Sequence, residues 1–274
     1  MLHLLKIEWL KIKSYKAFII ILSFFCVGIL ASNYMVYSVF SNLSTNQDTQ
    51  VVVQEFNPFK FSGVWQTVSY ISGYLLILPA ILLIVLVTNE FTYKTSRQNI
   101  IDGLSRAQFI GVKILLAFLL ALLSVLLVIA TGLFFGFRSG TSFEWTKFSN
   151  VGYFFLKALS YNLIAVLMAV MIRRTGFAIG VYFIYMGAEN IIAQLLDVWS
   201  IKLKNANNID LGSMGDYLPM SASDGLLAFP NNPFKELAKN AMPTEYFGVT
   251  LIMVFFYIIL ASGLSIRSVV KRDL

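Results

Sequence analysis

Six stretches of nearly unbroken apolar residues alternate with polar segments along the chain, at 17–40, 65–87, 109–135, 153–172, 177–198 and 245–266. Each is close to or above the ~20 residues a helix needs to cross the hydrocarbon of a bilayer. The pattern predicts an all-α polytopic membrane protein in which 1–274 forms one transmembrane domain with six spans. Before the first span, 1–16 places Leu2, Leu5, Trp9 and Ile12 on one helical stripe, with Lys6, Lys11 and Lys13 off it. Leu4, Ile7 and Leu10 blur that stripe. The expectation is an interfacial helix with Trp and aliphatic side chains at the headgroup boundary and lysines toward anionic lipid. Its basic section is too long for a signal peptide. His3 has no ligand-type residues near it and takes no role.

Between the second and third apolar runs lies a polar, basic island, 89–113, NEFTYKTSRQNIIDGLSRAQFIGVK. Asn89 is placed to cap a short helix and Gly103 to end it in the left-handed conformation. Ser105 and Gln108 have the S-x-x-Q spacing of a capping box for the next helix. Pro79, inside the second span, lacks an amide donor and its ring clashes with the preceding turn, so a kink is expected there. A hinge and a static kink are both compatible with it. Arg173-Arg174-Thr175-Gly176 makes a tight turn between the fourth and fifth spans. Gly176, Gly180 and Gly187 then recur at a spacing that lets membrane helices approach closely. Glu189-Asn190 falls within the fifth span. A carboxyl in hydrocarbon is costly and faces a cavity or a partner, so Glu189 and Asn190 are candidates for a translocation path, with pairing to Lys157 the alternative for Glu189. The longest loop, 200–243, carries Asp210, Asp216 and Asp224 and is expected on the outer side. A loop of that length is usually functional or disordered.

Composition agrees. Hydrophobic residues make up 58% and charged residues only 13%, and the mean hydropathy is +0.74, too apolar for an aqueous fold. The pI near 9.4 does not indicate nucleic acid, because the basic residues sit between apolar runs and form no patch on a soluble face. Cys26, the one cysteine, lies in the first apolar run, which excludes disulfides within the chain and a thiolate metal site. The N-terminus, the island, the 173–174 turn and the C-terminus together hold thirteen of the 21 basic residues and four of the 14 acidic ones. That side has a net charge of +9 and the remainder −2, so the positive-inside rule puts both termini and the island in the cytoplasm. No phosphate loop, H-E-x-x-H or G-x-S-x-G motif occurs, so the chain is not expected to hydrolyse ATP itself, or to be an enzyme.

Glu90-Phe91, Thr95, Arg97, Leu104-Ser105-Arg106 and Lys113 together resemble the first cytoplasmic loop of the permeases of ABC-2-type transporters. Lys94 departs from a common Gly, and Gly103-Leu104 from a common small residue and Pro. The resemblance implies that a cytoplasmic coupling helix at 89–106 docks on a separate ABC ATPase subunit, present in two copies, which would carry the ATP and Mg. It implies docking roles for Glu90, Phe91, Lys94, Arg97, Asp102 and Arg106, a second contact through Arg173 and Arg174, and a path lined by spans two and five. It also implies pairing with a second copy of this chain or a related permease, in a bacterial cytoplasmic membrane. Replacing Glu90 and Arg97 together by Ala is expected to uncouple the ATPase while leaving the fold intact. The alternative from another class is a non-transport assembly or immunity protein that binds a partner through its outer loop. A secondary transporter is a third reading, but no internal repeat supports it.

Overall fold

A computed structural model describes residues 2–13, 15–45, 57–207, 209–230, 244 and 246–271. Residues 46–56 of the polar loop after the first span, 231–243 of the 200–243 loop and Arg272 lie outside the described residues, as does the side chain of His3. The described residues contain ten α-helices and no strand: α1 (Leu2–Lys13), α2 (Lys16–Thr45), α3 (Val64–Gly73), α4 (Ile77–Thr92), α5 (Thr95–Ile101), α6 (Arg106–Arg138), α7 (Ser149–Ile172), α8 (Thr175–Asn207), α9 (Pro219–Gly225) and α10 (Phe247–Lys271). Among the described residues, six helical segments are long and apolar enough to cross a membrane: α2, α3 with α4, α6, α7, α8 and α10.

These helices outrun the apolar stretches that announce them. The second span continues past the expected end at 87 to Thr92, so Asn89 lies inside α4 and caps nothing. Its side-chain amide instead donates to the Tyr15 hydroxyl at 2.8 Å, tying α4 to the link between α1 and α2. The helix stops because Lys94 turns left-handed at φ 57. The short helix is therefore α5, narrower than 89–106. It ends as expected at Gly103, whose φ of 100 suits a residue without a Cβ. The Gly103 amide donates to Ile100 O and the Leu104 amide to Asn99 O, the paired bonds of a Schellman motif. The capping box forms: the Gln108 amide donates to Ser105 Oγ at 3.2 Å, and the Ser105 amide to Gln108 Oε1 at 3.0 Å.

Pro79 acts one turn upstream. The span breaks into a 3-10 turn at Tyr74–Leu76, where a proline removes the amide that the carbonyl four residues earlier would accept.

The fourth span, α7, is the hub, packed by α3, α4, α6, α8, α9 and α10. In the most apolar stretch of the second and of the fourth span, 61% of residues are buried within the chain, against 17% in the first and fifth and 22% in the sixth. Polar side chains stitch this core. Asn33, fully buried in α2, donates to Ser72 Oγ at 3.2 Å, and Asn162 of α7 to Ala117 O at 3.0 Å. Such bonds fix which helices meet where water cannot compete.

The described part of the 200–243 region is not an extended loop. α8 runs on to Asn207, and a 3-10 turn at Met214–Tyr217 then leads into α9, which folds back against α7, α8 and α10. Asp210 anchors the return: its carboxylate accepts from the Thr244 amide and hydroxyl and from the Gly212 amide.

Candidate functional site

The end of the second span, the start of the third and α1 converge on one buried lysine. Lys113 sits seven residues into α6, about 10 Å along it, and its side chain is 1% exposed. An ammonium there is stable only if paired. Glu90 of α4 accepts from it at 2.8 Å, and Glu8 of α1 accepts from it on the other side. Lys11 closes the circuit, reaching Glu8 at 3.2 Å and Glu90 at 3.3 Å. Two lysines and two glutamates thus form a neutral cluster joining three elements. Burial pushes the Glu8 carboxyl up, but Lys113 and then Lys11 more than offset it, leaving it below the ordinary carboxylate range. For Lys11, burial acts to lower the value and Glu90 and Glu8 outweigh it, so it stays protonated above the usual lysine range.

On this base stands α5. A cavity of about 270 Å³ opens between α1, α5 and the start of α6, lined by Glu8, Lys11, Asn99, Asp102, Leu104 and Phe109 among others. Lys94 and Arg97 are exposed, and Asp102 is exposed and accepts from Gln98 Nε2 at 3.1 Å. The turn between α7 and α8 lies alongside: the Arg173 guanidinium stands over the Phe91 ring at 5.2 Å, and the hydroxyls of Thr88 and Thr175 are 2.8 Å apart. Arg173 itself is left-handed at φ 58, which makes the two-residue link sharp. Arg174 is exposed.

The candidate docking residues therefore divide. Lys94, Arg97, Asp102 and Arg174 are exposed and make up a mostly cationic rim, on α5 and its two ends and on the 173–174 turn. Glu90 is buried in the ion cluster and Phe91 lies beneath Arg173, with its ring edge-on to Phe109. Arg106 donates to Val270 O at 3.1 Å, engaging the last turn of α10. Glu90, Phe91 and Arg106 each make a contact within the chain, Glu90 from a buried position and the other two half-buried.

Glu189, 5% exposed, does not meet Lys157. It accepts from the amides of Met220 (2.5 Å) and Ser221 (2.9 Å) at the start of α9, while Lys157 pairs with Asp224 at 3.0 Å. Asn190 is exposed and accepts from Gln194 Nε2 at 2.6 Å. Gly176, Gly180 and Gly187 lie on the open side of α8, where an added Cβ would meet nothing within 4 Å, so among the described residues no helix packs on them.

Glu8, Lys11 and Lys113 were missed as a group. The signal was present: Lys113 is an ionisable residue within an apolar helix, and Glu8 is the lone acid in a basic segment.

A multi-pass helical membrane protein with a short helix clamped between two spans has the form of a transporter's membrane component. The family model for ABC-2 family transporter proteins matches residues 4–188, and the chain belongs to that family. Comparison with curated proteins and with solved structures finds no match. Membership makes the chain a membrane transport component and implies an ABC ATPase as partner.

Proposed function

We propose that this chain is the permease subunit of an ATP-driven exporter in a bacterial cytoplasmic membrane. Two copies of an ABC ATPase would dock on the α5 rim and the 173–174 turn, and hydrolysis, with its ATP and Mg, would occur in the partner. The observation that carries the reading is the buried Lys113 cluster, because it locks α1, the end of the second span and the start of the third around the short helix α5. A push on α5 then cannot be absorbed by a slack loop; it passes into α4 and α6. The basic excess on this side supports a cytoplasmic location for both termini. Lys6, Trp9, Leu10 and Lys13 are exposed on α1, which supports its lying against a lipid headgroup layer. The open faces of α2 and α8, with Gly176, Gly180 and Gly187 on the latter, support a second permease copy alongside. The reading as a partner-binding protein with a free outer loop loses support, because α9 is tied into the spans. The test is a mild-detergent pull-down of the tagged chain with assay of ATP hydrolysis. A stoichiometric protein bearing a phosphate-loop motif is expected, and its absence across several detergents would overturn the proposal.

A further inference from the structure

Lys157 is a second buried cation, eight residues into α7, and the cluster at Lys113 does not account for it. Its side chain is 8% exposed, and an ammonium at about 12 Å along a membrane span is retained only with a partner. That partner is Asp224 on α9, 3.0 Å away, whose carboxylate also accepts from the Tyr161 hydroxyl at 2.9 and 3.1 Å. The rings of Tyr74 and Tyr161 each lie 5.7 Å from the Lys157 ammonium. Gly73, the last residue of α3, makes room for it: a Cβ there would stand 3.0 Å from Nζ. Lys157 therefore rests on the second span where that span breaks into its 3-10 turn.

A polar hold ties α9 at each end, and the two differ. Just past α9 the chain is moored again, with Leu226 and Leu227 buried and Ala228 O accepting from Gln66 Nε2 at 2.9 Å, so only the Asp224 turn itself is free to lift. At its start, buried Glu189 accepts two backbone amides. At its end, Asp224 has a side chain 43% exposed, so the carboxylate is already partly in water, and after its release Lys157 keeps the faces of two tyrosine rings. We propose that the Lys157–Asp224 pair is a latch: it closes α9 over the opposite side of the membrane from the α5 rim, and it opens by releasing the Asp224 end while the Glu189 end serves as the pivot. The link to the cytoplasmic side is the second span itself. α4 runs unbroken from the 3-10 turn to Glu90, so displacement of its far end alters the turn on which Lys157 rests. The reason for opening depends on the transport reading; the latch does not.

The test is thiol accessibility in intact cells, in a Cys26→Ser background, with a membrane-impermeant maleimide. Ala222→Cys places the probe on a fully buried position of α9. Slow labelling is expected with the latch intact, and several-fold faster labelling on adding Asp224→Asn or Lys157→Met. Val151→Cys, at a buried position near the same end of α7, is the control and is expected to stay slow in every background. Equal rates for Ala222→Cys with and without the latch substitutions would overturn the proposal, as would fast labelling with the latch intact. Parallel acceleration at Val151→Cys would also overturn it, by making the pair a general support of the fold. None of these readings needs an ATPase or a cargo, so failure here is distinct from failure of the exporter assignment.

Discussion

Lys113 carries the strongest single-residue prediction. With Lys113→Met, Glu8 and Glu90 face each other with only Lys11 between them, and breaking a buried pair costs about 3–5 kcal/mol. A correspondingly lower melting temperature of the purified protein is expected; an unchanged one would remove the cluster from the account. Glu90→Ala should behave alike, because Glu90 is buried in the cluster, whereas Arg97→Ala should leave stability unchanged and weaken ATPase association. The expectation that a Glu90 and Arg97 double substitution spares the fold is therefore replaced by a separation of the two residues. Protonation follows from the same contacts. The Glu8 carboxyl lies below its ordinary range, so its contribution is present above the unfolded value and is lost only as pH falls through the lowered one. Asp210, held to about 2 by the Thr244 hydroxyl and the Gly212 amide, behaves in the same sense. Lys11 lies above its ordinary range, so its contribution is lost only as pH rises through that raised value. Stability in detergent should thus be flat from about pH 5 to about pH 9, and a transition inside that window would point to another group. The sequence showed the outward residues of this region as charged. It could not show that Glu90 and Arg97, seven positions apart, face opposite ways, because that depends on where α4 ends.

At the scale of elements, the apolar runs located every span, but their ends were set by local chemistry the runs do not encode. Gly103 and the Ser105–Gln108 box were readable because each works within four residues. Asn89 was misread because it has the residue type of a cap but lies inside a helix that Lys94, by turning left-handed, carries to Thr92. α9 was hidden for a different reason: seven residues with Pro219 at the start make a weak helical pattern, and its holds on the spans come from Glu189 and Lys157, whose contacts are 31 or more positions away along the chain. Ser105→Ala should remove the cap at a cost of about 1 kcal/mol. The effect should appear as faster amide exchange at the start of α6, with exchange in α7 unchanged. Acceleration spread evenly over all the spans would show that the cap acts on the whole fold.

For the whole molecule, burial is unequal in a way that bears on assembly. The second and fourth spans form the centre, while α2, α8 and α10 present large apolar faces outward. The expected path lining by spans two and five thus meets a second span that is largely enclosed within the single chain, and a fifth that is open. The side proposed for the ATPase is the one that carries the basic excess, the Lys113 cluster and the α5 rim. The most direct measurement is site-specific crosslinking in native membranes, from a Cys26→Ser chain with the reactive thiol at Arg97→Cys, Arg174→Cys or Lys147→Cys. Lys147 lies between the third and fourth spans, on the side opposite the rim. Adducts of the permease with an ABC ATPase from the first two positions, and none from the third, are what the rim assignment predicts. An ATPase adduct from Lys147→Cys, with none from Arg97→Cys, would contradict it.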